Sequence, residues 1–218
     1  MKAPAVRRDK TIAKASAPVI AVTGGIACGK SEVGRILAAA GVAVKDADHV
    51  ARALLDPGTK IFKAVVNEFG RELLDRNGAI DRSALARRVF ADANARARLE
   101  ALMHPEIIRE ITAWRDEQRA GGRAAAALVP LLFEAGAEQG WDAIFCVVDR
   151  ADRVRARLLE RGLSEHEARL RVSAQWPIKE KARRSDVVLH NEAGLRELER
   201  TTMRAWHMLS ERRRMHNA

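Results

Sequence analysis

The chain predicts an α/β fold: a three-layer arrangement with one parallel five-stranded sheet, helices on both faces and an inserted helical subdomain. Three observations predict it. Short apolar runs alternate with segments of helical period, the pattern of strand–helix–strand units. The first run, Val19-Ile20-Ala21-Val22, leads straight into the glycine-rich stretch Gly24-Gly25-Ile26-Ala27-Cys28-Gly29-Lys30-Ser31 and then into a helix. Finally, about 80 residues separate the second and third runs, far beyond the dozen or so that a parallel crossover needs.

The first strand is buried, judged by its unbroken apolarity. The stretch after it fits G-x-x-x-x-G-K-[ST], and its setting between strand and helix makes the pattern a physical site, a P-loop. Inward-pointing amides and the N-terminus of the helix from Ser31 to Ala40 offer a polyphosphate its donors and a partial positive charge. Gly25, Ile26, Ala27, Cys28, Gly29, Lys30, Ser31 and Glu32 form the expected donor-binding stretch. Lys30 is expected on the β- and γ-phosphates and Ser31 on magnesium, so a nucleoside triphosphate with Mg2+ is the expected ligand pair. Ala27 carries a Cβ, which argues against a positive φ there. Cys28, a thiol at a helix N-terminus, is a candidate for a lowered pKa and easy oxidation.

Gly41 stops the first helix. Val42-Ala43-Val44 is the second strand, and it ends at Asp46-Ala47-Asp48, where either aspartate can cap the next helix. If this strand lies beside the first, backbones about 4.8 Å apart bring Asp46 and Asp48 over the γ-phosphate end of the loop. The helix through Leu55 meets the breaker Asp56-Pro57-Gly58. Helices are expected over Lys60 to Phe69, Asp81 to Phe90 with Asp81 as cap, Asn94 to Met103, and Pro105 to Arg119. Proline suits the first turn of the last of these, and Ile107, Ile108, Ile111 and Trp114 recur on its helical period. These helices form the insertion, hung from the carboxyl ends of the strands, the side where open α/β sheets bind ligands.

Ala125 to Leu131 and Ala143 to Val148 are the third and fourth strands. A helix from Arg150 to Arg161 ends at Gly162. Another, from Ser164 to Gln175, opens with a capping box of Ser164 and Glu167. Pro177 starts a short helical stretch, Val187-Val188-Leu189 is the fifth strand, and a final helix spans Leu195 to Met208.

Net charge is +10, from 39 basic and 29 acidic side chains. Much of the excess is terminal: Lys2, Arg7, Arg8, Lys10 and Lys14 at one end, Arg212 to Arg214 at the other. Residues 1–17 are expected to be a disordered basic extension and 212–218 a basic tail. Aromatic residues are only 4%, too few for a base-stacking platform, so nucleic acid is not an expected partner. A nucleic-acid-binding NTP switch stays open as an alternative on charge alone. No apolar run has the length of a membrane span, and residues 1–17 lack the apolar centre of a secretory signal. Two cysteines, Cys28 and Cys146, match no metal or disulfide framework. A reduced cytoplasmic chain is expected, monomeric or weakly homo-oligomeric, without membrane association.

Among P-loop chemistries, the base-reading Asn-Lys-x-Asp of GTPases is absent; Val148-Asp149-Arg150-Ala151 stands after the fourth strand. A transporter signature and a motor-type acidic pair are absent too. A kinase of a small metabolite fits best. Such an enzyme positions two substrates, neutralises charge and takes one proton, so it needs a carboxylate near the acceptor hydroxyl. Asp46 and Asp48 are the candidates.

Thr23-Gly24-Gly25-Ile26-Ala27-Cys28-Gly29-Lys30-Ser31, then Asp46-Ala47-Asp48, Pro57-Gly58, His104-Pro105 and Val129-Pro130-Leu131-Leu132-Phe133-Glu134 follow in an order that resembles the dephospho-coenzyme A kinases. Arg157 to Arg161, Arg171 to Gln175 and Asn191 resemble that family's lid and C-terminal patterns, and the resemblance runs from about Val19 to Leu209. It implies transfer of the ATP γ-phosphate to the ribose 3′-hydroxyl of dephospho-coenzyme A, the last step of coenzyme A synthesis. Another nucleoside or nucleotide kinase is the alternative enzyme. The implied P-loop NTPase organisation is a kinase domain over 18–211, with its core at 18–55 and 124–211. The coenzyme-binding insertion is about 56–123 and the lid about 157–180. The implied roles are Asp48 as base, Lys30 and Arg157 on the transferring phosphate, and Ser31 on the metal. Thr23, Asp48, His104 and Glu134 fall to the acceptor, and Asn191 to the adenine edge. His190 and Lys45 depart from the family's usual aspartate and apolar residue.

Overall fold

The computed structural model describes residues 17–216. The expected basic extension lies outside the described residues except for Ala17, as do the last two residues of the expected tail.

Strands β1 (Val19–Gly24), β2 (Ala43–Asp46), β3 (Ala125–Leu128), β4 (Ile144–Val148) and β5 (Val187–His190) make one sheet in the order β2-β3-β1-β4-β5. Every pairing in it is parallel. The expected adjacency of the first two strands is corrected: β3 lies between them, with Leu128 opposite both Val22 and Asp46. Composition explains the placing. A central parallel strand is covered on both faces and must be apolar throughout; the Ala-Ala-Ala-Leu of β3 is buried at every residue. β2, with Lys45 and Asp46, is half-buried along its length and suits the edge. Asp46 therefore stands two strand spacings, about 10 Å, from Val22.

The helices are α1 (Lys30–Ala39), α2 (Ala47–Leu54), α3 (Lys60–Phe69), α4 (Arg82–Ala91), α5 (Ala93–Ala120), α6 (Ala151–Glu160), α7 (Glu165–Ser173), α8 (Ile178–Arg183) and α9 (Leu195–His216). On one face of the sheet, Ile20, Val22, Phe145 and Val147 pack with Val33 and Leu37 of α1 and Leu198 and Trp206 of α9. On the other, Ala21, Ala127 and Ile144 pack with Val50 of α2, Ile111 of α5, Leu132 and Phe133. Ile61, Val65, Phe69, Leu85, Val89 and Met103 form a separate small core in the insertion. Each large apolar side chain buried there stabilises it by about 1.5–3 kcal/mol. Leu54 and Ile107 touch both this core and the sheet's, so the insertion is fastened to the edge that carries α2.

Local signals account for most helix starts. Thr59, Asp81 and the Ser164–Glu167 capping box cap α3, α4 and α7. Two expected helices are one: α5 runs 28 residues with Pro105 inside it. Proline removes a single backbone donor. The carbonyl that loses its partner belongs to Ala101, which is exposed to water, while Met103 and Ile111 on either side are buried and hold the helix together. The third strand stops at Leu128, because Pro130 has no N–H for the ladder. α9 continues to His216, so residues 212–216 are helical where a tail was expected. Among the described residues, no helix is long and apolar enough to cross a membrane.

Candidate active site

The P-loop joins β1 to α1. Gly29 caps the helix at φ 104°, and a Cβ there would stand 2.5 Å from the Asn191 side-chain nitrogen. Ala27 adopts φ 57°, contrary to the expectation from its side chain. Alanine tolerates this left-handed conformation at roughly 1–2 kcal/mol, and the Ala27 carbonyl is held by the Arg157 guanidinium at 2.7 Å. From the other side, the Asn191 amide nitrogen donates to the Cys28 carbonyl at 3.1 Å. Asn191, expected at the adenine edge, is thus engaged with the loop while also lining its cleft.

The expected lowering of the Cys28 pKa is corrected as well. The thiol is buried, and loss of solvation pushes its pKa up; the nearby Lys30 charge opposes this without reversing it. Burial pushes the Cys146 thiol up to about 11. Neither is an activated cysteine.

Lys30 folds onto its own loop, donating to the carbonyls of Gly25 at 2.8 Å and Gly24 at 3.2 Å. Loss of solvation lowers its pKa; Cys28, Asp48 and Asp46 oppose this, and Lys181 adds to it. The backbone N–H of Ile26 donates to the Gln175 side-chain oxygen at 2.9 Å. An amide oxygen thus sits on a loop donor of the kind that holds a phosphate oxygen. Ser31 is exposed at the head of α1 and Glu32 pairs with Arg35.

Asp46 caps α2, its carboxylate accepting from the Asp48 N–H. The capping question left open by the sequence is settled for Asp46, and the Asp48 side chain faces the cleft. Protein crowding around Asp48 raises its pKa above the ordinary aspartate value, and repulsion from Asp46 raises it further; Lys30, Arg52 and His49 oppose.

Two cavities meet at Asp48. One, about 590 Å³, is lined by P-loop residues with Lys30, Ser31, Arg153, Arg157, Arg161, Gln175 and Asn191. The other, about 180 Å³, is lined by His104, Ile107 and Ile108 of α5 and by Ala51 of α2. Asp48, Pro130 and Leu131 belong to both. A third cavity, about 430 Å³ and largely apolar, lies between the loop and α6–α7.

Thr23 is fully buried, and its hydroxyl donates to the Pro130 carbonyl at 3.3 Å, so it braces the wall between the cavities. Glu134 lies behind that wall, paired with Lys181 at 2.7 Å and accepting the Trp176 N–H at 2.8 Å. Arg157 also pairs with the buried Asp149 carboxylate at 2.7 Å. From α7, the Arg171 guanidinium sits 4.5 Å from the ring centroid of Phe90 on α4, so α7 reaches the insertion.

Three participants were given no role of their own from the sequence. Asp149 had a signal: it ends an apolar strand, with Arg153 and Arg157 following at helical spacing. Gln175 ended the stretch from Arg171 that resembles the family's lid and C-terminal patterns, and Lys181 had no signal beyond its place in a basic segment.

A family model described as dephospho-CoA kinase matches residues 18–197. A dephospho-CoA kinase of Geobacter sulfurreducens is 44% identical over 191 residues, covering 86% of this chain and 96% of that one. One from Anaeromyxobacter dehalogenans is 46% identical over 177 residues, covering 79% and 83%. Among solved structures, TT1252 from Thermus thermophilus superposes with a TM-score of 0.71 at 32% identity, covering 88% of this chain and 97% of its own. The dephospho-CoA kinase from Campylobacter jejuni gives 0.66 at 25% identity, with the same coverage.

Proposed function

The chain belongs to the dephospho-CoA kinase family, and we propose that it transfers the γ-phosphate of ATP to the ribose 3′-hydroxyl of dephospho-coenzyme A. The products are coenzyme A and ADP, the final step of coenzyme A biosynthesis. The observation that carries the assignment of roles is Asp48, a carboxylate on the shared wall of the P-loop cleft and the insertion-side pocket.

In this reading the triphosphate lies in the larger cavity, its oxygens on the loop amides and its γ-end toward Asp48. The Asp48 carboxylate takes the proton from the acceptor hydroxyl. That oxygen forms a bond to the γ-phosphorus, the bond from phosphorus to the β–γ bridging oxygen breaks, and ADP leaves with the electron pair. Lys30 turns from the Gly24 and Gly25 carbonyls to the phosphates, and the Arg153, Arg157 and Arg161 side of the cleft balances the transferring charge. Gln175 yields the Ile26 amide to a phosphate oxygen. His104 and the small pocket hold the acceptor's nucleoside end.

The same reading places Mg2+ with the triphosphate. That ion usually keeps several waters and takes few protein ligands beside substrate phosphates. Ser31 would be its loop ligand. Bound there, the ion supplies charge neutralisation at the β- and γ-phosphates.

The division into a core, a coenzyme-binding insertion at about 56–123 and a lid at about 157–180 follows the same reading. The free, buried cysteines suit a reduced cytoplasm, and the excess positive charge also suits two polyanionic substrates.

A coupled assay of ADP release with dephospho-coenzyme A and a panel of nucleosides and nucleoside monophosphates tests this. Turnover confined to dephospho-coenzyme A is expected. Phosphorylation of a nucleoside monophosphate, with dephospho-coenzyme A untouched, overturns it.

A further inference from the structure

The short helix α8 carries a lysine with no exposed surface. Lys181 places its ammonium 2.7 Å from the Pro130 carbonyl and 2.7 Å from the Glu134 carboxylate. The same Pro130 carbonyl accepts from Thr23, and the same Glu134 oxygen accepts the Trp176 N–H. The second Glu134 oxygen is buried with no hydrogen-bond partner among the described residues. One lysine is therefore the meeting point of β1, the 130–134 segment and the 175–176 turn whose first residue occupies the loop amide of Ile26.

Stability does not explain this arrangement. A buried ammonium–carboxylate pair is commonly no more stabilising than apolar residues of the same volume, because both charges lose their water. What the pair gives is fixed geometry. Pro130 has no N–H with which to anchor itself, and its carbonyl is anchored by Lys181 instead. Pro130 and Leu131 are two of the three residues shared by the donor cleft and the small pocket.

On the kinase reading above, we propose that Lys181 is a positioning residue for phosphoryl transfer. Through Pro130 and Glu134 it holds the wall against which the acceptor hydroxyl is aligned between Asp48 and the γ-phosphate. Its positive charge also reaches the phosphate-binding end, where, after burial, it helps to lower the Lys30 pKa.

The test compares wild type, Lys181→Met and the double variant Lys181→Met/Glu134→Gln, which keeps an acceptor for the Trp176 N–H, by melting temperature and by steady-state kinetics with each substrate varied. Lys181→Met strands a carboxylate and is expected to melt lower. The double variant removes both charges and is expected to return to within about 3 °C of wild type. Its kcat/KM for dephospho-coenzyme A is expected to stay down by about 10- to 100-fold, while KM for ATP moves less than about 3-fold. A double variant with wild-type kcat/KM makes the pair structural only and overturns the proposal. If the double variant melts low, Lys181→Met assayed well below its own melting midpoint decides. Unchanged acceptor kinetics per folded molecule overturn the proposal, and a selective acceptor defect supports it. Absence of dephospho-coenzyme A turnover in the wild type overturns the functional reading and this inference with it; wild-type turnover beside a fully active double variant overturns the inference alone.

Discussion

The Asp46 carboxylate accepts the backbone N–H of Asp48 at 2.8 Å. Two acids on one turn thereby divide their work: Asp46 closes the start of α2, and Asp48 is left with an unbonded carboxylate over the cleft. The Asp46 charge still acts on its neighbour, raising the Asp48 pKa beyond what crowding alone produces.

Asp46→Asn keeps the cap, since asparagine serves as well as aspartate at that position, and deletes the charge. A base must be ionised to act, so kcat/KM should fall as pH drops through the Asp48 pKa. That limb lies above the ordinary aspartate value of about 3.9. Removing the Asp46 repulsion lowers the pKa, so the acid limb should move to lower pH in the variant. A pH–rate profile measures it; a limb that stays put or moves up removes Asp48 from the role of base.

Asp48→Asn should cut kcat by about 10²- to 10⁴-fold, the usual worth of a positioned general base. ATP affinity, followed with a fluorescent analogue, should barely change. Wild-type turnover in this variant would falsify the assignment.

Arg157→Lys should behave as a severe change. The planar guanidinium serves the Ala27 carbonyl and the Asp149 carboxylate together, and a lysine ammonium cannot reproduce that fork. We expect kcat/KM for ATP to drop by about 10- to 100-fold, read from initial rates with ATP varied. Equal kinetics for lysine and arginine would leave only positive charge as the requirement.

Ala27→Gly should stabilise the protein. Relief of the left-handed backbone is worth roughly 1–2 kcal/mol, and added freedom of the unfolded chain takes back about 0.4–1 kcal/mol. The net gain, on the order of 1 kcal/mol, corresponds to about 2–4 °C for a domain of this size. Differential scanning calorimetry reads it, and a lower melting temperature contradicts the strain at Ala27.

Features written within one stretch of chain were legible. The P-loop and its flanking strand and helix, the cap at Asp81 and the Ser164–Glu167 box each depend on residues a few positions apart. The sheet order was not legible, because β2 and β1 are parted by a strand that comes some 80 residues later. Pro105 misled because its local preference for a helix start was overridden by burial of Met103 and Ile111 on both sides. Ala27 misled because its carbonyl is held by Arg157, 130 residues away, a partner that no local pattern shows. Asp48 and His104 could each be singled out in the sequence, but only the fold brings them to one small pocket.

The hydrogen bond from Ile26 to Gln175 bears on which anions the loop admits. A vacant cradle of amides attracts any small oxyanion, and sulfate or inorganic phosphate is everywhere in a cell. Here one of those amides is already content, served by a side chain tethered close by and needing no diffusion to return. A visitor with one phosphorus gains little by evicting it, whereas a triphosphate reaches several donors and Lys30 in the same act. On the kinase reading, the resting loop would favour visitors that bring several phosphates.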